Sequence, residues 1–251
     1  MGDCLKQVAR FINDRAGVTF EKKEQLFRLY FLNALDQLRI RSCEELYEML
    51  KDQERFYKAL SYFLISQSYF NRESRHFEIM VELLDRKREC SILSIPCANG
   101  EEPYSIAIWL KEHGFERFRI DGIDINPVAI ERAREGVYEA RTVSQLPDEW
   151  IRRYFFPARE GYRVVKEIRR HVHFEVENLF DLYPDERYDM LFCRNLLIYL
   201  DEKRRQEAIW KIHGLLRTGG YLFLGFSDYI YELEGFDRIS FGDKEIYRKR
   251  E

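Results

Sequence analysis

The chain has 251 residues, of which 45% are hydrophobic and 34% are charged, and its formal net charge is −3 at pH 7. This composition is typical of a folded globular protein, and the lack of a basic excess argues against a non-specific nucleic-acid binder. No apolar run reaches the roughly 18 residues of a membrane-spanning helix, and the first residues lack a signal-peptide core, so we expect a cytoplasmic protein that is not inserted in a membrane.

The first part of the chain is predicted to be a small all-α domain, at residues 1–72. From about residue 20 to residue 66, apolar residues recur at helical spacing, as Phe27, Phe31 and Leu35 show, and no strand-like alternation interrupts them. These helices also carry basic side chains, which we expect to form a solvated face or, alternatively, a partner surface. The basic residues are Lys22, Lys23, Arg28, Arg39 and Arg41.

The remainder, residues 73–251, is predicted to be an α/β domain with a doubly wound, mostly parallel sheet. Short apolar runs alternate with helical stretches, which is typical of βαβ units. The runs are "CSILSIP", "FRIDGIDI", "HVHFEVEN", "YDMLFCRN" and "GGYLFLGF". The final "FDRISFGDKEIYRKR" predicts two antiparallel strands joined by the "FGDK" turn. A stretch without clear periodicity, at about 139–170, is interpreted as an insert over the sheet edge.

The segment "LSIPCANGEEPYSIAIWL" predicts a strand, a tight turn and a helix, the arrangement that commonly binds nucleotides. A pyrophosphate site requires G-x-G-x-x-G, whereas this turn has only Gly100, followed by Glu101 and Glu102, whose charges repel phosphates. Asp124, about twenty residues further on at the end of the next strand, suits a ribose. A ligand with a ribose, a positive charge and no phosphate fits best, and S-adenosylmethionine is such a ligand. Alternatively, the two glutamates bind no ligand and are present only because acidic residues are favourable in the first turn of a helix.

Five segments in order resemble the CheR-type family of chemotaxis receptor methyltransferases. They are "NGEEPYSIA", "GIDINPVAIERAREGVY", "ENLFD", "YDMLFCRNLLIYL" and "LLRTGGYLFLGFSD". The resemblance implies an N-terminal helical domain, a Rossmann-like methyltransferase domain and S-adenosylmethionine as cofactor. It also implies methyl esterification of glutamate side chains on the cytoplasmic domain of methyl-accepting chemoreceptors. We expect no nucleic-acid partner, because the chain has no basic excess.

The resemblance further implies a set of site residues. Tyr199 matches a family tyrosine near the transferred methyl, and we assign it, with Arg72, to the catalytic site. The residues that match family positions in cofactor binding are Ser66, Ser68, Arg72, Glu101, Asp124, Asn178, Leu179, Arg194 and Asn195. A glutamate acceptor is ionised at neutral pH, so no strong general base is needed. Because too tight an ion pair would weaken the nucleophile, we assign Arg72 mainly to the cofactor and Tyr199 to positioning.

The chain departs from the family pattern at Ser66, Ser68 and Asn99. A serine hydroxyl still donates and accepts a hydrogen bond, so cofactor binding is expected to persist. These departures keep open a second hypothesis, a non-catalytic regulatory protein that binds S-adenosylmethionine on the same fold. A methyltransferase for a small molecule or a nucleic acid is a third option, disfavoured because no basic, aromatic-rich groove is evident.

The cysteines and histidines do not predict a metal site. The cysteines lack C-x-x-C spacing, so we predict reduced thiols at Cys4, Cys43, Cys90, Cys97 and Cys193. His171 and His173 alternate on one predicted strand but have no third ligand nearby.

Overall fold

The computed structural model describes all residues except 1, 21–22, 65, 184–186, 229, 231 and 251. The described residues form an N-terminal group of helices, a seven-stranded sheet and a smaller three-stranded sheet. The predicted α/β class and the mostly parallel sheet are confirmed. No helix in the described part of the chain has the length and apolar character needed to cross a bilayer.

Four helices precede the sheet and share one hydrophobic core. They are α1 Asp3–Ala16, α2 Glu24–Leu38, α3 Cys43–Leu50 and α4 Gln53–Leu60. The apolar spacing of α2 turns Phe27 and Phe31 inward, and the Phe27 ring stacks on Phe63 at 5.6 Å between centroids. Ser42 caps α3 by accepting the Glu45 N–H. Of the predicted basic face, Lys23, Arg28, Arg39 and Arg41 are exposed, and Lys22 lies outside the described residues.

The structure corrects the prediction for two of the five cysteines. Cys4 and Cys43 form a disulfide, with their Cα atoms 6.2 Å apart, although 39 positions separate them in the sequence. The packing of α1 against α3 brings them together, and no local spacing rule could have predicted that contact. Cys90, Cys97 and Cys193 are free and buried, as predicted for reduced thiols.

The large sheet has the strand order β6-β2-β1-β7-β8-β10-β9. Its strands are β1 Cys90–Ser94, β2 Phe118–Asp124, β6 Val172–Val176, β7 Tyr188–Cys193, β8 Leu216–Leu224, β9 Phe236–Phe241 and β10 Lys244–Lys249. Ile92 of β1 lies opposite Ile120 of β2 on one side and opposite Met190 of β7 on the other, both in parallel pairing. Strand order reverses between β1 and β7, so a ligand crevice is expected at the carboxyl ends of these strands.

Helices cover both faces of the sheet, which separates two hydrophobic cores. They are α5 Arg75–Leu83, α6 Glu101–Glu112, α7 Pro127–Glu135 and α11 Glu202–Leu215. Ile92 packs into the core that includes residues of α5, α6 and α7, whereas its neighbour Leu93 packs into the core that includes residues of α11. This alternation is the two-residue period of a strand buried on both faces. Asp201 caps α11 by accepting the Arg204 N–H, as expected for an N-terminal aspartate.

The stretch predicted as an insert contains short elements of its own. They are α8 Ala140–Val143, α9 Asp148–Tyr154, β4 Phe155–Ala158, β5 Gly161–Val164 and α10 Lys166–Arg169. β5 pairs with β3, Val137–Tyr138, on one side and with β4 on the other, in an antiparallel sheet of order β3-β5-β4. The predicted hairpin at the end of the chain is confirmed as β9 and β10. The division of the chain at residue 72 stays a prediction.

Candidate functional site

A cavity of ≈ 1570 Å³ opens at the carboxyl ends of β1, β2 and β7. Residues from the N-terminal helices, from the segment before α5 and from the strand-end loops line it. All ten site residues predicted from the sequence line this one cavity: Ser66, Ser68, Arg72, Glu101, Asp124, Asn178, Leu179, Arg194, Asn195 and Tyr199. Their placement agrees with a common site, while the individual roles stay predictions.

The turn between β1 and α6 is compact because two of its residues adopt left-handed backbone conformations. Ala98 has φ 48° and Gly100 has φ 92°. A Cβ atom added to Gly100 would lie 2.8 Å from the Ala133 Cβ and 2.9 Å from the Tyr138 hydroxyl, so only glycine fits without a shift. The turn therefore brings the start of α6, with Glu101, directly against the cavity.

Glu101 and Asp124 are buried acids on the same wall of the cavity, 3% and 5% exposed respectively. Asp124 accepts the Ala98 N–H at 2.9 Å and the Asn126 N–H at 2.9 Å, which fixes the turn to the end of β2. The Glu101 Oε2 atom is buried and has no hydrogen-bond partner among the described residues. Burial raises the pKa of Glu101 to about 7 and that of Asp124 to about 6. A cationic ligand would favour the ionised form of both.

Glu102 does not simply occupy the first helical turn. Its carboxylate accepts a hydrogen bond from the Ser94 hydroxyl at 2.8 Å and pairs with the Arg194 guanidinium at 2.7 Å. The Arg194 side chain is 3% exposed, pairs also with Glu73 at 3.2 Å and donates to the Arg72 carbonyl at 2.8 Å. Both Nη atoms of Arg194 are thus committed to protein groups, so its guanidinium fixes the cavity wall.

The segment that carries Arg72 is held in an unusual backbone conformation. Asn71 and Glu73, on either side of Arg72, have φ values of 61° and 54°. The Asn71 side chain accepts a hydrogen bond from the Trp109 indole at 2.9 Å, and its backbone N–H donates to the Ser105 hydroxyl at 3.0 Å. The Arg72 guanidinium lies 5.7 Å from the Tyr69 ring centroid and forms no ion pair with any described residue. Arg72 therefore presents an uncommitted positive charge to the cavity.

Tyr199 ends a short 3-10 helix, Leu197–Tyr199, that follows β7. Its carbonyl accepts the Thr19 N–H at 2.8 Å, and Lys23 Nζ lies 4.7 Å from its ring centroid, so the N-terminal helices help to hold it. Burial raises the pKa of its phenol, which stays protonated at neutral pH. No described residue is hydrogen-bonded to the Tyr199 hydroxyl, which is available to a ligand.

Asn178, Leu179 and Ser66 support the cavity wall through hydrogen bonds and packing. Asn178 caps the 3-10 helix Leu179–Asp181 by accepting the Phe180 N–H, and its amide donates to the Arg15 carbonyl at 3.2 Å. Leu179 packs in the core beneath the cavity. The Ser66 hydroxyl accepts a hydrogen bond from the Asn126 amide at 3.1 Å, and its carbonyl accepts one from the Asn99 amide at 2.6 Å. Asn99 thus links the turn to the Ser66 segment.

Sequence reasoning did not identify Asp228, which supports the site from β8. Asp228 is 3% exposed, and its carboxylate accepts the backbone N–H groups of Asn195 and Ile198, in the turn that leads to Tyr199. Burial raises its pKa, although these N–H groups oppose the shift. Its position in the sequence could have identified it, because Asp228 follows four residues after the end of a parallel strand, where ligand-site residues are commonly found.

Comparisons with known proteins are consistent with this geometry. Residues 63–245 match the sequence model of the family described as "CheR methyltransferase, SAM binding domain". Chemotaxis protein methyltransferase 2 of Vibrio cholerae is 31% identical over 87% of this chain and 82% of its own length. A chemotaxis protein methyltransferase of Campylobacter jejuni is 28% identical over 98% of this chain and 95% of its own. The solved structure of the N-methyltransferase NodS of Bradyrhizobium japonicum, in complex with S-adenosyl-L-homocysteine, resembles this chain only weakly. It has a TM-score of 0.45 and 16% identity over 83% of this chain and 98% of NodS.

Proposed function

The chain belongs to the CheR methyltransferase family, and from that premise we propose that it methyl-esterifies glutamate side chains on the cytoplasmic domain of chemoreceptors. S-adenosylmethionine is the cofactor, in agreement with the prediction from the turn after β1. Methyl transfer is the activity of the family, and the protein-glutamate acceptor is the proposed part.

One observation carries this proposal. The cavity presents two buried acids, Glu101 and Asp124, together with an unpaired guanidinium on Arg72 and a free phenol on Tyr199. The acids suit a ligand that is cationic and carries a ribose, whereas the guanidinium and the phenol suit an anionic acceptor. A methyl transfer from a sulfonium to a carboxylate joins reactants of these two kinds.

The cofactor fits the residues that are present. The buried Glu101 Oε2 has no hydrogen-bond partner among the described residues, and the α-ammonium of S-adenosylmethionine supplies a donor of the right charge. We assign Glu101 to that group and Asp124 to the ribose, because each Asp124 oxygen retains a lone pair beside its backbone hydrogen bond. Gly100 permits close approach of a ligand to the backbone.

When bound, S-adenosylmethionine supplies an electrophilic methyl group on a sulfonium. The protein's task is alignment, since a glutamate acceptor with a pKa near about 4.3 is already ionised at neutral pH. We assign the Tyr199 hydroxyl to hold one acceptor oxygen. Arg72 was assigned from the sequence mainly to the cofactor; because it forms no ion pair with a described residue, we now assign it also to attract the acceptor carboxylate to the cavity.

The exposed basic residues of α2 and its flanks support the proposed partner. Lys23, Arg28, Arg39 and Arg41 are exposed, and attraction to an acidic receptor surface would increase the rate of encounter. The alternative, a regulatory protein that binds S-adenosylmethionine without turnover, predicts cofactor binding with no acceptor. The uncommitted Arg72 and Tyr199 favour catalysis, because a sensor has no need of an acceptor site.

Transfer of labelled methyl from S-adenosylmethionine to chemoreceptor cytoplasmic fragments tests the proposal. We expect a base-labile label, as a carboxyl methyl ester requires, and a loss of labelling in Asp124→Asn. Asp148→Asn, which changes an exposed aspartate that does not line the cavity, serves as the matched control. Cofactor binding by calorimetry without labelling of any fragment would instead support the regulatory alternative.

A further inference from the structure

Two large apolar side chains stand exposed beside the cavity. Phe226 is 83% exposed and begins the 3-10 helix Phe226–Asp228 that follows β8. Ile198 is 36% exposed and lies in the 3-10 helix Leu197–Tyr199 that follows β7. These two residues are termed the apolar lip. Burying side chains of this size within the protein would have been favourable, so their exposure calls for an explanation.

The two halves of the lip form one structural unit with Tyr199. The two 3-10 helices are in contact, and the Asp228 carboxylate accepts the Ile198 N–H at 3.2 Å. A Cβ atom added to Gly225 would lie 2.9 Å from the Asp228 carboxylate and 3.2 Å from the Asn195 nitrogen, so the β8 end approaches the β7 end closely. Ile198 and Ser227, one from each helix, both line the cavity.

The lip lies on the acceptor side of the cavity. In the strand order β2-β1-β7-β8, the ends of β7 and β8 lie on the opposite side of β1 from Asp124, which ends β2. Tyr199, Lys23 and Arg72 all line the cavity, and Lys23 Nζ lies 4.7 Å from the Tyr199 ring centroid. Arg194, which directly follows β7, donates to the Arg72 carbonyl at 2.8 Å, so Arg72 also lies near the β7 end. The surface around the lip is therefore apolar with two adjacent cations, which matches a polypeptide that offers an apolar and an anionic side chain together.

We propose, building on the proposed function, that the apolar lip binds the helical segment that carries the acceptor glutamate and so determines specificity for protein acceptors. A glutamate side chain is short, so its helix must rest on the rim while the carboxylate reaches Tyr199. Residues three or four positions from that glutamate lie on the same helix face, about 5–6 Å away between Cβ atoms. An apolar residue at one of these positions would cover Phe226 and Ile198.

Steady-state methylation of a chemoreceptor cytoplasmic fragment by Phe226→Ala tests the proposal. We expect the KM for the fragment to rise about tenfold, the size expected when burial of a phenylalanine side chain is lost. The turnover number and the Kd for S-adenosylhomocysteine should stay within about twofold, since Phe226 does not line the cofactor cavity. Phe226→Leu, which keeps an apolar side chain, should restore most of the affinity.

Trp210→Ala is the matched control. Trp210 is 82% exposed, as Phe226 is 83% exposed, but it lies on α11 and does not line the cavity, so its loss should leave the KM unchanged. An unchanged KM in Phe226→Ala, or a parallel loss of cofactor affinity, would overturn the lip as an acceptor surface. If the unaltered protein binds cofactor but methylates no fragment, the proposed function itself fails, and the lip inference with it.

Discussion

Glu101 is a buried carboxylate whose Oε2 atom has no hydrogen-bond partner in the described part of the chain. Because burial raises its pKa to about 7, it is partly protonated near neutrality, and a cationic ligand binds only the ionised form well. We therefore expect the affinity for S-adenosylmethionine to increase as the pH rises from 6 to 8, with a proton released on binding.

Calorimetric titrations across this pH range, in buffers of different ionisation enthalpy, measure both effects. In Glu101→Gln, the affinity should be lower and nearly independent of pH above 6.5. Any remaining dependence below pH 6.5 is assigned to Asp124, whose pKa burial raises to about 6. A wild-type affinity that is constant between pH 6 and 8 would contradict the assignment of Glu101 to the cofactor.

The Tyr199 hydroxyl offers a second test at the scale of a single residue. Since it has no described protein partner, Tyr199→Phe should change the free energy of unfolding by less than about 0.5 kcal/mol. If the hydroxyl holds an acceptor oxygen, the turnover number should fall roughly tenfold, because the variant loses one hydrogen bond to the acceptor in the transition state. Tyr30→Phe, in another tyrosine that lines the cavity, is the control. An unchanged turnover number in Tyr199→Phe would remove this residue from the mechanism.

At the scale of the element, Asp228 joins the end of β8 to the turn after β7. Its two oxygens accept separate N–H groups, from Asn195 and Ile198, and an amide at this position has only one acceptor oxygen. Asp228→Asn should therefore lower the free energy of unfolding by about 1–3 kcal/mol. The turnover number should fall further than cofactor affinity does, because the released turn carries Tyr199.

Asp189→Asn separates a loss of stability from a loss of positioning. Asp189 accepts the Ser91 N–H at 2.8 Å and pairs with Arg217, near the start of β7, at the end of the sheet opposite the cavity. The Asp189→Asn variant should have a lower free energy of unfolding in denaturant titrations. Its turnover number in methylation assays should not fall further than its cofactor affinity does. Similar kinetic losses in both variants would show that Asp228 acts only through global stability.

At the scale of the whole molecule, the N-terminal helices and the sheet are expected to unfold together. The Thr19 N–H donates to the Tyr199 carbonyl, Arg204 donates to the Asp14 carbonyl, and residues of both parts line one cavity. At a concentration one hundred times its Kd, S-adenosylhomocysteine should increase the free energy of unfolding by about 2.7 kcal/mol and raise Tm by about 5–10 °C.

Two spectroscopic probes report on different parts of this unit. The tryptophans, Trp109, Trp150 and Trp210, all lie after the N-terminal helices, whereas far-ultraviolet circular dichroism reports on every helix. Coincident melting curves, shifted together by the ligand, are the expected result. An early circular dichroism transition that does not respond to the ligand would mean that the N-terminal helices unfold independently.

Most strands and helices could be predicted because their signals are local. The two-residue period of β1 and the helical spacing of α2 are properties of neighbouring residues, and the acid at the end of β2 follows from its position on a strand. The short elements of the 139–170 stretch lacked such a period. β4 and β5 have only four residues each, too few to establish an alternation.

By itself, the sequence determined the α/β class, the acids Glu101 and Asp124 and the ligand class that they suit, since each follows from local pattern or from position at a strand end. The other predicted residues that meet at the cavity were assigned only through the resemblance to the CheR-type family. Only the tertiary structure decided the Cys4–Cys43 pairing, the ion pair of Glu102 with Arg194 and the role of Asp228. These contacts join positions 39, 92 and 33 residues apart. Packing determines which distant side chains meet, and burial, which raises the pKa of Glu101, exists only in the folded chain.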